Sequence, residues 1–196
     1  MQEYAYIPEM LTLIDEPNRS ACQKILQDNE KPFKVAKGSQ HNHQNWTGGY
    51  WDHIREIMNI GIVLYRNMNP LRTLPFSLSD VLLVLFLHDL EKPWKEGLTL
   101  VGVFVGDTDV HDYLKWEEFK FDKFKEYGIT LTSEQENAIR FIHGEGLCYS
   151  SSFRVMGPLG AFCHSCDVFS ARIWFDYPKE GFQDSWWPAT RVNSIK

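Results

Sequence analysis

A run of seven apolar residues, Val81–Leu87, ends directly in the pair His88-Asp89. Ser77 or Ser79 can cap a helix that includes this run, so the sequence predicts a buried helix with a polar tip. A buried charge must be paired or bound to a metal ion, and imidazole and carboxylate groups both ligate divalent ions. The pair therefore predicts that further His and Asp side chains meet it in the folded chain.

Further histidines stand at the ends of predicted helices. His53 opens an apolar pattern at helical spacing over residues 52–67. A capping box over Ser133–Glu136 begins a helix that His143 closes, and His111 stands near the start of a charged helix. Each histidine is a candidate metal ligand, although a single buried His is more often an ordinary core residue.

A helix predicted over about residues 157–177 places His164 and Asp167 on one face, because they are three positions apart. Asp167 could instead cap a helix or pair with Arg172. Small residues on the same face leave room for a site: Gly160, Ala161 and Ala171. The whole set predicts one metal site with some further candidate ligands: His53, His88, Asp89 and Asp167, then His143, His164 and His111.

Four segments carry these residues in a fixed order. Residues 48–53 (Gly-Gly-Tyr-Trp-Asp-His) place a Gly-Gly pair ahead of the first histidine, and residues 87–93 (Leu-His-Asp-Leu-Glu-Lys-Pro) place Lys after His-Asp. Residues 137–143 end in His and residues 162–167 end in Asp. The ordered set resembles the HD superfamily of metal-dependent phosphohydrolases, which usually has Gly where this chain has Glu91.

The resemblance spans about residues 40–175 and implies a mostly α fold, a single HD-domain-like helical bundle over residues 1–196 around a metal centre. At most a short β hairpin is expected, from the stretch Leu98–Val105. The implied activity is hydrolysis of a phosphoester or phosphoanhydride bond in a (deoxy)nucleotide by metal-activated water.

The same resemblance implies roles for the residues around Asp89. Asp89 would bridge two ions if His143, with His111 or His164, held a second one. Glu91 is expected to act as a general acid or base or to support a ligand, and Lys92 to neutralise a phosphate oxygen. Ions of Mn, Co, Fe, Ni, Zn and Mg all suit such donors, so one divalent ion is expected and a second is compatible with the sequence.

The polar segment 31–49 is predicted to be a loop that forms a wall of the site. Its Lys34 and Lys37 could bind distal phosphates, although solvated lysines are the plainer interpretation. His41 and His43 are expected to contact solvent or substrate rather than metal. Three aromatic residues could stack on a base or equally belong to the core: Trp46, Tyr50 and Trp94.

Composition limits the partners and the location. The formal net charge of −6 argues against a long nucleic acid but allows a small phosphorylated substrate. No apolar run approaches the ~18 residues of a membrane span and no signal peptide is seen, so a cytoplasmic protein is expected. Cys163 and Cys166 form a CxxC pair that favours buried structural cysteines over zinc or redox chemistry. Trp186 and Trp187 are compatible with a homo-oligomer interface.

Two other functions stay open. Residues 37–43 with Gly48-Gly49 are similar to the entry of HD-type 3′–5′ exoribonucleases, so the alternative is a phosphodiesterase that cleaves cyclic (di)nucleotides or short oligonucleotides. The third is a binding or regulatory HD domain without catalysis, although the complete ligand set argues against it.

Overall fold

The computed structural model describes residues 4–39, 42–95 and 110–176, and only the helical backbone of 110–114. The described residues are mostly α-helical and contain no strand, which confirms the predicted fold class. Several predictions fall outside the described residues or side chains: the hairpin over Leu98–Val105, and the roles of His41, His111, Trp186 and Trp187.

Helices form along the whole described chain. The α-helices are α1 (Ile7–Leu11), α2 (Asn18–Asp28), α3 (Glu30–Val35), α4 (Gly49–Met68), α5 (Leu78–Leu87), α6 (Val110–Tyr127), α7 (Ser133–Phe141) and α8 (Pro158–Val168). A 3₁₀ turn over Gly146–Cys148 follows α7, and a π-helical turn over Phe169–Ile173 continues α8. Residues 92–95 are also helical.

The segment predicted as a loop over 31–49 is partly helical, so that prediction is wrong at both ends. The first residues of the predicted loop belong to helix α3 instead. This helix is packed into the core by Phe33, which is buried and lies edge-on against Tyr50, with ring centroids 5.2 Å apart. Helix α4 begins at Gly49, three residues before the predicted start, after Gly48 in the left-handed region at φ 86°.

Side-chain hydrogen bonds cap the N-termini of helices α5 and α7. Ser77 Oγ accepts a hydrogen bond from the Asp80 backbone N–H, and the Asp80 carboxylate accepts one from Ser77 N. The predicted box at Ser133 is wrong by one residue, because Thr132 and Gln135 exchange the two capping bonds. Both arrangements satisfy backbone donors that the first helical turn leaves unpaired.

One contiguous hydrophobic core lies between α4, α5 and α8, with α7 packed along α8. All seven apolar residues of Val81–Leu87 are buried in it, as predicted. Gly61 lets α4 approach α5 closely, because a β-carbon there would stand 2.7 Å from Leu85 Cδ1. Within the described ranges, no helix has both the length and the apolar character that a membrane span needs.

Candidate metal centre

Three core helices bring the predicted ligands to one place. His53 lies in the first turns of α4, His88 and Asp89 directly follow α5, and Asp167 lies in the last turn of α8. All four are buried, with at most 8% of any residue exposed. His88 and Asp89, at the end of the apolar helix α5, therefore lie beside further His and Asp side chains, as the sequence predicted.

Neighbouring candidate ligand atoms lie at separations that suit metal coordination, and His53, His88 and Asp167 form a first group that could hold an ion. His53 Nε2 is 3.2 Å from Asp167 Oδ1, and His88 Nε2 is 3.1 Å from Asp89 Oδ2. The cross distances are 3.9 Å from His53 to Asp89 and 4.0 Å from His88 to Asp167. Atoms bound about 2 Å from one ion stand about 3–4 Å from each other, so the spacing fits a divalent ion.

Two of these atoms, His53 Nε2 and His88 Nε2, have no hydrogen-bond partner among the described residues. His88 Nδ1 donates to the Leu85 carbonyl oxygen at 2.8 Å, which leaves Nε2 as its ligand atom. Buried polar atoms in a native protein are normally paired. Two unpaired imidazole nitrogens that converge on carboxylate oxygens form an arrangement that a cation would complete.

The buried environment sets the charges of the cluster. Burial lowers the pKa of His53 to about 4 despite the nearby Asp167 carboxylate, so this imidazole is neutral at pH 7. Burial also opposes protonation of His88, but the Asp89 carboxylate outweighs it and the pKa is raised.

The two carboxylates stay ionised. Burial raises the pKa of Asp89, but His88 and Lys92 together hold it well below the usual range. Burial acts in the same way on Asp167, where His53 lowers the pKa more strongly. Anionic oxygens beside imidazole nitrogens form a donor set for a borderline divalent ion, whose binding would release the His88 proton.

Lys92 reaches the site by pairing with a candidate ligand. Its Nζ lies 2.5 Å from Asp89 Oδ2 and donates to the Gly38 carbonyl oxygen. Glu91 instead contacts two lysines, with Oε1 3.5 Å from Lys95 and Oε2 3.9 Å from Lys120. Glu91 is therefore paired with lysines rather than with the ligand cluster.

A cavity of about 530 Å³ adjoins the cluster. His143 Nε2 faces it from just beyond α7, 3.4 Å from Asp89 Oδ1, and forms a second ligand group with His88 and Asp89. His164 also lines the cavity, but its Nδ1 donates to the Ile142 carbonyl oxygen and it belongs to neither ligand group. The structure thus joins His143 to the cluster and leaves His164 at the cavity wall.

The predicted substrate lysines lie elsewhere. Lys34 pairs with Glu30 one helical turn away, at 2.5 Å, and stands 5.3 Å from the centre of the Trp51 ring. Lys37 does not line the cavity. Lys34 is therefore best described as a solvated surface charge, because its partner Glu30 is exposed and lies on the same helix.

The predicted aromatic walls also have other partners. Trp46 Nε1 donates to Asp52 Oδ2 at 2.8 Å, Tyr50 is fully buried beside Phe33, and Trp94 packs edge-on against Phe33. Their core or rim interpretation is the one that the geometry supports. The cavity is lined instead by a different set, including Asn42, His43, Arg172 and Phe175.

Several residues at the site were missed by the sequence reasoning. Glu56 and Ser170 each follow a candidate ligand by three positions, and the structure places both behind His53. The i, i+3 rule used for His164 and Asp167 would have found them. Gln44 and Lys120 carried no comparable signal, because their contacts depend on distant parts of the chain.

The two cysteines of the CxxC pair are buried in α8, where burial raises the pKa of both thiols. Both are therefore protonated core residues, in agreement with the structural interpretation.

Comparisons with protein-family models, with curated proteins and with solved structures found no match for this chain. The resemblance to the HD superfamily accordingly depends on the ordered motif residues alone. What the structure adds is that His53, His88, Asp89 and Asp167 come together in three dimensions, in groups able to hold a metal ion.

Proposed function

We propose that this protein is a metal-dependent phosphohydrolase of the HD type that acts on (deoxy)nucleotides. The observation that carries the proposal is the convergence of His53, His88, Asp89 and Asp167 beside a cavity of about 530 Å³. A volume of this order is typical of small-molecule sites. The formal net charge of −6 favours a small substrate over a long nucleic acid.

The residues fit a divalent ion because the unpaired Nε2 atoms of His53 and His88 meet buried carboxylate oxygens there. His53, His88, Asp89 and Asp167 would hold it. When bound, such an ion supplies Lewis acidity toward a phosphoryl oxygen and activates water for attack.

Asp89 is the residue best placed to connect two parts of the site. Its Oδ2 faces His53 and His88, whereas its Oδ1 faces His143. In the proposal, His143 contacts a phosphoryl oxygen or a second ion at the cavity. Lys92 limits the negative charge that Asp89 presents to an anionic substrate, since its ammonium group pairs with the same carboxylate.

The test is a substrate panel with the metal-loaded protein. The full chain is incubated with Mn²⁺, Co²⁺ or Mg²⁺ and nucleoside mono- and triphosphates, a cyclic dinucleotide and a short oligonucleotide, and products are separated by chromatography. Release of nucleoside or of a shorter nucleotide supports the proposal. Cleavage of only the diesters would replace it with the phosphodiesterase function, and metal binding without any turnover would favour a binding module.

Matched variants connect turnover to the site. Asp167→Ala should abolish both metal binding and turnover, because it removes an anionic ligand from a buried cluster. Asp28→Ala removes a carboxylate from an exposed pair with Lys24 and should leave both unchanged. Full activity in the Asp167 variant would overturn the proposed site.

A further inference from the structure

A buried polar network lies behind His53, on the side opposite the ligand cluster. His53 Nδ1 is 3.0 Å from Ser170 Oγ, and the Ser170 hydroxyl donates to Glu56 Oε2. Ser170 has no exposed surface and Glu56 only 5%. Polar groups buried this deeply are stable only when their hydrogen bonds are complementary.

The hydrogens in this network can be assigned from chemistry. A carboxylate only accepts, so the single hydroxyl hydrogen of Ser170 is directed to Glu56. Ser170 Oγ then accepts from His53, which places the imidazole hydrogen on Nδ1. The Nε2 lone pair is thereby left facing Asp167 and Asp89.

Gln44 favours the same direction of the hydrogen bonds, from His53 to Ser170 and from Ser170 to Glu56. Its side-chain nitrogen donates toward Ser170 Oγ at 3.2 Å and Glu56 Oε2 at 3.1 Å. An amide NH₂ cannot accept, so it gives the Ser170 hydroxyl no alternative acceptor. Gln44 is fully buried at φ 41°, a conformation that a non-glycine residue holds only when its surroundings impose it.

The alternative proton position would also have a partner. A hydrogen on His53 Nε2 would point toward the Asp167 carboxylate, whose Oδ1 is 3.2 Å away. That tautomer makes a good local hydrogen bond but has no lone pair for a metal on the cluster side. Without an acceptor behind the ring, Asp167 would favour the tautomer that cannot ligate.

We propose that Ser170 and Glu56 are positioning residues that keep the His53 proton on Nδ1, so that Nε2 stays available to a divalent ion. The inference rests on the proposed metal site. Ser170 lies in the π-helical turn Phe169–Ile173, and such turns often occur at functional sites. Support of this kind for a ligating histidine is worth about 10–100-fold in metal affinity.

Metal affinity is the first readout. Co²⁺ is titrated into the metal-free full-length protein by calorimetry, for the wild type, for Ser170→Ala, and for Glu56→Leu, which removes the acceptor. Both variants should bind Co²⁺ about 10–100-fold more weakly. Ser165→Ala is the matched control, since the hydroxyl of this exposed serine on α8 donates to the Ala161 carbonyl oxygen, and this variant should bind like the wild type.

The tautomer is the second readout, and it needs neither metal nor turnover. In long-range ¹H–¹⁵N spectra of the metal-free protein, His53 should carry its hydrogen on Nδ1 in the wild type and shift it toward Nε2 in Ser170→Ala. Ser170→Thr keeps the hydroxyl and should restore the wild-type tautomer. If Ser170→Ala fails to fold by circular dichroism, Glu56→Leu decides the question, with Ser170→Thr as the variant that keeps the hydroxyl.

His53→Ala separates the two proposals. Loss of Co²⁺ binding in His53→Ala, with wild-type affinity and tautomer in Ser170→Ala and Glu56→Leu, would overturn the positioning roles and leave the metal site standing. Wild-type Co²⁺ binding in His53→Ala would overturn the site itself.

Discussion

Gly49 lies so close to Gln44 that a β-carbon at position 49 would stand 1.8 Å from the Gln44 carbonyl oxygen. The same oxygen accepts a hydrogen bond from Gly38 N at 3.1 Å. The start of α4 is thus packed against the backbone that carries Gln44. The Gly-Gly pair has a structural explanation in this contact, independent of any substrate.

Gly49→Ala should therefore destabilise the protein by about 2–4 kcal/mol, because the backbone at Gln44 cannot yield as a flexible side chain would. Gly128→Ala is the control. Gly128 has φ +75°, and a β-carbon added there would meet no described atom within 4 Å, so only backbone strain of about 1 kcal/mol is expected. Urea unfolding measures both. Equal losses in the two variants would contradict the close contact at position 49.

Tyr50→Phe should stabilise the protein by up to about 1–3 kcal/mol. The Tyr50 hydroxyl is buried and has no hydrogen-bond partner among the residues described. Its burial therefore costs desolvation free energy, which the Phe variant recovers. Tyr65→Phe is the matched control, because the Tyr65 hydroxyl donates to the Phe76 carbonyl oxygen at 3.2 Å. That variant should lose about 1 kcal/mol in urea unfolding. A loss in Tyr50→Phe as large as in Tyr65→Phe would show that the Tyr50 hydroxyl has a partner.

Lys92→Ala should destabilise the metal-free protein by an amount on the order of 3 kcal/mol, because it leaves the buried Asp89 carboxylate without its ammonium partner. Added Mn²⁺ should restore much of this loss, so the metal-induced rise in melting temperature should exceed that of the wild type. In turnover assays, KM should rise or kcat should fall. Lys24→Ala, which breaks an exposed pair with Asp28, should change stability by less than about 1 kcal/mol. A melting temperature equal to the wild type in Lys92→Ala would remove the assigned role.

The free energy of unfolding of the metal-free protein should decrease in acid, because His53 is more easily protonated in the unfolded chain. Its pKa is about 4 in the folded chain and about 6.5 in an unfolded one. Between these values the unfolded chain binds a proton that the folded chain does not, so stability is fullest above pH 6.5 and falls toward pH 4, by up to about 3 kcal/mol.

His53→Gln removes this dependence, and urea unfolding in a chelator from pH 4 to 7 measures it. The raised pKa of His88 acts in the opposite direction but is present in both proteins, so the comparison isolates His53. A difference between wild type and variant that does not change with pH would contradict the lowered pKa.

The sequence predicted the fold class and four candidate ligands that come together in the structure, because both follow local rules. The apolar run Val81–Leu87 had to be buried, and a helix that ends in His88-Asp89 then presents both side chains at its tip. His53 and Asp167 could be added because they lie at the ends of two other helices. Helix periodicity and end signals are the strongest information that a single sequence carries.

The walls of the site could not be predicted in the same way. Tyr50 was a candidate for stacking on a base, but it lies in the first turn of α4, which begins at Gly49, and its ring is fully buried in the core. Trp46 was also a candidate for stacking, but its indole N–H donates to Asp52 on α4. Gln44 binds a serine 126 positions away, a relationship that no local pattern contains.

The helix that carries Asp167 has a consequence for how the chain is made. Ser170 contacts His53 from 117 positions further along the chain, and Asp167 reaches the cluster from the same late part of the chain. During synthesis, His53 and His88 therefore leave the ribosome long before their remaining partners. In the proposed site, an ion would be held firmly only after α8 has docked, which would make metal loading a late step of folding and the ion a link between early and late helices.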